Sequence, residues 1–142
     1  CNRMSINIKG IAMRIGIIGL ILVGFLSCKD QDKKAEFFRN VDVETFQKML
    51  NEQGAQLIDV RTPREYEKGH LEGAVLINYL SGDFKRKAFD KLDRSKPVLV
   101  YCAGGGRSLK AAKIYSDAGF TKVYNLMGGF RSWEAKKMKT TQ

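Results

Sequence analysis

The chain has 142 residues, room for one domain and a short extension. With 44% hydrophobic and 28% charged residues it has a globular composition, which excludes wholesale disorder. The net charge of +10 attracts anions; no zinc finger, RNA-binding aromatic motif or basic helix repeat accompanies it, and one histidine with three scattered cysteines makes a poor metal site, so a small anion is expected, without nucleic acid, metal or cofactor.

The first segment reads as an address. Residues 1–27 hold Arg3, Lys9 and Arg14 and no acid, and the remainder keeps 22 basic against 15 acidic residues, net +7. Behind Arg14, the uncharged run Ile15–Leu26 (IGIIGLILVGFL) follows the pattern of a signal peptide. It is shorter than the roughly 20 apolar residues a membrane span needs. Ser27-Cys28, followed at once by the charged run Lys29–Lys34, resembles a bacterial lipoprotein signal, although Phe25 stands where leucine is usual. That resemblance implies a signal peptide over 1–27, a lipid on Cys28 that attaches the mature chain to a membrane, and a place in a bacterial cell envelope, periplasmic or surface-exposed. An uncleaved hydrophobic anchor and a secreted soluble form are the alternatives. Residues 1–12 precede Met13, which reads as an alternative start, and 28–40 read as a polar linker ahead of a domain over 41–142.

The domain alternates helices and strands. Asp42 caps a predicted helix over Val43–Asn51, with Val43, Phe46 and Leu50 on one face and Gly54 beyond its end. Leu57–Val60 is a short apolar strand. Thr62-Pro63-Arg64-Glu65 combines a capping box with proline at the first helical position, so a short helix starts there. Ala74–Asn78 is a second strand and Asp83–Leu92 a helix. Pro97–Tyr101 is the strongest strand, apolar and β-branched after the proline. Ser108–Ala118 is helical, with Ala111, Ile114, Tyr115 and Ala118 on one face and Gly119 as its stop. Val123–Leu126 is one more strand and Phe130–Lys137 a final helix. The alternation predicts an α/β fold with a mostly parallel central sheet and helices on both faces.

The chemistry lies where the strongest strand meets a helix. Cys102 ends the strand, and Ala103, Gly104, Gly105, Gly106, Arg107 and Ser108 follow before the helix. Consecutive glycines let backbone N–H groups turn inward as an anion nest. A helix start adds unpaired N–H donors, and Arg107 adds a cation with a planar fork. Each favours the thiolate of a cysteine held at the centre, and the thiolate is the nucleophile. Cys102 as a small buried hydrophobe beside an ordinary loop is the blander reading, and the run of glycines, arginine and helix start weighs against it.

Cys102-Ala-Gly-Gly-Gly-Arg107-Ser108 resembles the active-site loop of the rhodanese family. Leu57-Ile-Asp59-Val-Arg61, then Glu65-Tyr66 and Gly69-His70-Leu71-Glu72-Gly73-Ala74, resembles its amino-terminal signature, and Asn125–Phe130 with Trp133 its carboxy-terminal one. The resemblance spans about residues 41–137. It implies a single rhodanese-like domain that moves sulfane sulfur as a persulfide on Cys102, from a small anionic donor such as thiosulfate to a thiol, cyanide or a protein acceptor. Ala103, Gly104, Gly105, Gly106 and Arg107 then cradle the persulfide and its donor, with Arg107 on anionic oxygens and Ser108 in support.

Asp59 and Arg61 match the signature, and their simpler reading is to anchor the next turn. His70, the only histidine, invites a general-base role but matches a position that packs the turn ahead of a strand. Phe130 and Trp133 read as core of the last helix. A cysteine phosphatase of related fold would need one residue more between cysteine and arginine to wrap a tetrahedral phosphate. A non-enzymatic binding module is the other rival, against which the intact cysteine loop argues.

Overall fold

The computed structural model describes residues 38–52 and 54–142. The predicted signal peptide, Cys28 and the linker up to Phe37 lie outside the described residues. Among the described residues no helix is long and apolar enough to cross a membrane.

Ten elements follow one another: β1 (Phe38–Val41), α1 (Val43–Leu50), β2 (Gln56–Asp59), α2 (Pro63–Glu67), β3 (Val75–Leu76), α3 (Phe84–Lys91), β4 (Val98–Tyr101), α4 (Gly106–Asp117), β5 (Val123–Leu126) and α5 (Gly129–Ala135). The sheet has five strands in the order β1-β5-β4-β2-β3, and every pair is parallel. Parallel strands need crossovers, which the helices supply. From β2 the chain moves outward to β3, whereas from β4 it moves outward the other way to β5. The strand order therefore reverses between β2 and β4, and ligands of open α/β sheets bind at the carboxyl ends of strands beside such a switch point. Cys102 directly follows β4.

Alternation along the strands sorts the core into two faces. Ile58, Val60, Val98, Val100, Cys102 and Val123 pack on one side with Phe84 and Ala88 of α3 and Ala111, Ala112 and Tyr115 of α4. Leu57, Leu99, Tyr101 and Leu126 pack on the other with Val43 and Phe46 of α1 and Phe130 and Trp133 of α5. The period of two is what aims the Cys102 side chain at the face where α4 begins.

Local signals explain the helix starts. The Asp42 carboxylate accepts from Thr45 N at 2.8 Å, relieving one of the orphan donors of α1. Thr62 and Glu65 form the reciprocal capping box of α2, with Pro63 in its first turn. The boundaries differ from the sequence reading in places. The strand read over Ala74–Asn78 shortens to Val75–Leu76, α4 starts earlier, at Gly106, and α5 runs from Gly129 to Ala135.

One reading is corrected. Phe38–Asn40, assigned to the linker, belong with Val41 to the edge strand β1, in register with Val123–Leu126 of β5. Two polar residues in the middle of this strand are exposed, so no apolar period marks it. Backbone pairing and a hydrogen bond from Asn125 Nδ2 to Asn40 Oδ1 (2.8 Å) hold it instead.

Candidate active site

Cys102 is buried, 2% exposed, and its sulfur faces a ring of donors. Gly105 N lies 3.1 Å from Sγ. The Ser108 hydroxyl lies 3.4 Å from Sγ and 3.1 Å from Gly105 O, so it bridges the sulfur and the loop backbone. Burial alone would push the thiol pKa up. Hydrogen bonds from the Ser108 hydroxyl and from the N–H groups of Ser108, Gly104 and Gly105 outweigh it, and the net direction is down. Gly105 adopts a left-handed φ of +95° as the residue before α4, a conformation that a glycine takes without strain. Inward-turned N–H groups and a helix start are thus both present, with Gly104, Gly105 and Ser108 facing the sulfur.

Arg107 has a partner within the protein. Its fork is given to Glu65 as a bidentate pair, with Nη2 to Oε1 at 2.6 Å and Nη1 to Oε2 at 2.9 Å. Glu65 lowers the availability of that fork to any substrate and neutralises its charge. Arg107 is correspondingly raised in pKa, by Glu65 first, with Cys102 a lesser contributor. The thiolate is therefore stabilised mainly by the loop's N–H groups and the Ser108 hydroxyl. Glu65 holds α2 to the loop across 42 positions of sequence, and neither its place in the capping box nor its place in the amino-terminal signature points to Arg107.

The pair also predicts an acid sensitivity. The Arg107 fork, against partial burial and with help from Thr62, holds the Glu65 carboxyl down at about 2, from an ordinary 4.5. A depressed carboxyl contributes stability above its unfolded pKa and loses it as pH falls through the folded one. Parent protein melted from neutral pH down to about 2 should lose about 1–2 kcal/mol more than Glu65→Gln across that acid window, the partial exposure of the pair keeping the figure small. Parallel curves for the two proteins would mean that the pair contributes no stability.

Asp59 and Arg61 pair with each other at the end of β2. Asp59 is fully buried and accepts from Arg61 N, Nε and Nη2 at 2.7–3.0 Å. Arg61 also donates to Gly69 O at 2.7 Å and lies 4.0 Å over the Phe130 ring. A buried ion pair is better tolerated when its remaining donors find partners, as Nη2 does in Gly69 O. His70 stacks on Tyr66 with ring centroids 3.6 Å apart, its Nδ1 is 3.0 Å from Tyr66 O, and its backbone pairs with Thr141. Those contacts spend it on the turn before β3. Phe130 and Trp133 are buried in the core, as expected.

A second glycine turn packs against the cysteine loop. Gly128 and Gly129 open α5 with φ of +71° and +60°. From there Phe130 N donates to Cys102 O at 2.7 Å and Arg131 N to Ala103 O at 3.1 Å. A Cβ on Gly129 would fall on the Cys102 carbonyl oxygen and lie 2.9 Å from Ala103 C and Gly105 N. The loop after β5 thus supports the loop after β4. A sequence signal existed, since Gly128-Gly129 repeats the strand, glycines, helix order of the cysteine loop.

A parallel five-stranded sheet with a cysteine-centred loop at its switch point defines an α/β domain that turns backbone N–H groups onto a buried sulfur. The chain belongs to the rhodanese-like domain family, whose model matches residues 42–136. It is 46% identical over 82 residues to protein YqhL of Bacillus subtilis, a match covering 58% of this chain and 63% of that one. It is 40% identical over 97 residues to the thiosulfate sulfurtransferase GlpE of Pseudomonas syringae, covering 68% of this chain and 87% of the relative. Among solved structures, the rhodanese-like domain of the Anabaena protein Alr3790 superposes with a TM-score of 0.65 at 29% identity, covering 72% of this chain and 77% of that one.

Proposed function

We propose that the protein is a sulfurtransferase that moves sulfane sulfur from thiosulfate or a related donor to a thiophilic acceptor through a persulfide on Cys102. The observation that carries this reading is the convergence of the Gly104, Gly105 and Ser108 N–H groups and the Ser108 hydroxyl on Cys102 Sγ. Relatives named thiosulfate sulfurtransferase support the choice of donor.

The thiolate attacks the outer sulfur of thiosulfate. The new bond joins Sγ to that sulfur, the bond to the sulfonate sulfur breaks, and sulfite leaves with its electron pair. The persulfide is itself an anion, so the same donors that favour the thiolate hold it after transfer. A thiophile such as cyanide then takes the outer sulfur and leaves as thiocyanate, restoring the thiolate. The four residues between Cys102 and Arg107 make a ring sized for a single sulfur atom rather than a phosphate group.

The full chain exposed to thiosulfate without an acceptor should gain one sulfur atom, mapped to the peptide containing Cys102. Cyanide should discharge it with one thiocyanate released per adduct, and the kinetics should be ping-pong. A chain that gains no sulfur from thiosulfate, polysulfide or a small persulfide would be a binding module instead.

A further inference from the structure

We propose that Arg131 is the residue that grips the anionic oxygens of the sulfur donor, and that it selects a thiosulfate-like dianion over a persulfide with no oxyanion end. This rests on the sulfurtransferase reading above. Arg131 sits in the first turn of α5, tied by its own N–H to the Ala103 carbonyl. Its side chain turns toward the cysteine loop, and a Cβ built on the exposed Gly104 would lie 3.8 Å from Arg131 Nη1. The guanidinium is therefore at the rim of the loop that wraps Cys102.

Charge balance gives this position its weight. Loading sulfur from thiosulfate brings a dianion against a thiolate, a repulsive encounter that needs a cation at the oxygen end. The Arg107–Glu65 pair is neutral as a unit and its fork is occupied. Among the described residues no ion pair engages the exposed Arg131 guanidinium. Its fork of N–H donors matches two oxygens of a sulfonate side by side.

Local energetics point the same way. A cation in a helix's first turn opposes the helix dipole, and α5 has no acidic residue there to compensate. A side chain that breaks a local rule without a structural return is expected at functional sites. During transfer Arg131 stays on the sulfonate oxygens while the bond between the two donor sulfurs breaks, and sulfite departs from it with the electron pair. The attacking species is the thiolate, so no proton moves in the transfer step itself.

The test uses the full chain with two donors: thiosulfate, followed by thiocyanate release, and a short alkyl persulfide, followed by single-turnover loading of Cys102. Arg131→Ala should raise the thiosulfate KM roughly ten- to hundred-fold, the range for losing a hydrogen-bonded charge, with a smaller change in kcat. Loading from the alkyl persulfide should stay at the parent rate. Arg131→Lys should recover part of the loss, since it restores charge without the fork. A parent-like thiosulfate KM in Arg131→Ala, or an equal loss with both donors, would overturn the assignment. A parent chain that loads sulfur from neither donor would instead overturn the sulfurtransferase reading.

Discussion

Replacing Cys102 with serine should abolish sulfur loading, by at least about 10³-fold, while leaving the domain folded. The geometry makes the comparison sharp. A serine oxygen at this position would meet the same donors, Gly105 N and the Ser108 hydroxyl, that now face Sγ. The buried hydroxyl would thus have partners, and the stability cost should be about 1 kcal/mol or less. What is lost is chemistry. The loop's donors favour an anion, but a hydroxyl starts so far from ionisation that they leave it protonated at neutral pH. An oxygen also cannot hold a transferable sulfane sulfur. The expected result is a circular dichroism spectrum and a melting profile close to the parent's, with no sulfur adduct on the Cys102 peptide and no thiocyanate release. Residual transfer in Cys102→Ser would move the nucleophile elsewhere in the chain.

The cysteine loop was legible in the sequence because its parts are contiguous. Cys102, the glycines and the start of α4 follow one another, and each carries a local backbone consequence. The same holds for the capping box at Thr62 and for the apolar strand over Val98–Tyr101. What was not legible depends on which strands lie side by side. The loops after β4 and β5 meet because those strands are neighbours in the sheet, and only then do Gly129 and Arg131 reach the cysteine loop. Glu65 likewise reaches Arg107 from the helix after β2, the strand on the other side of β4. Read alone, Arg107 looked like a cation free to bind a substrate, since the carboxylate that occupies it is distant in sequence. The edge strand β1 escaped for another reason. Arg39 and Asn40 are exposed in its middle, and pairing with β5 rather than any apolar pattern makes it a strand.

The contacts around Asp59 join these two kinds of information. Asp59 orients Arg61, Arg61 covers the Phe130 ring, and Phe130 N holds the Cys102 carbonyl. A signature that reads as a strand-end turn thereby sets the position of α5, and through α5 the backbone of the cysteine loop. Its contacts reach the backbone of the cysteine loop through α5. The carbonyls of Cys102 and Ala103 point at α5, which leaves the N–H groups of the following residues to face Sγ.

That division of the loop backbone predicts an outsized effect at Gly129. Alanine there meets two penalties at once. Its φ of +60° lies in the left-handed region, which costs a non-glycine residue of order 1 kcal/mol. Its Cβ would also collide with the Cys102 carbonyl oxygen, Ala103 C and Gly105 N, all backbone atoms that no side-chain rotation can move away. Gly73 supplies the control, with a comparable φ of +81° and nothing within 4 Å of its Cβ. Gly73→Ala should therefore cost about 1 kcal/mol and leave sulfur transfer near the parent level. Gly129→Ala should cost about 3–5 kcal/mol, or relieve the collision by pushing the cysteine loop away from α5. In that second case the N–H groups lose their aim at Sγ, so the thiol pKa should rise toward its ordinary value and sulfur loading should fall about 10²-fold or more. Urea denaturation of both variants, with thiol pKa measured by the pH dependence of alkylation, separates the two routes. If Gly129→Ala matches Gly73→Ala in stability, thiol pKa and transfer rate alike, the glycine turn after β5 does not support the cysteine loop.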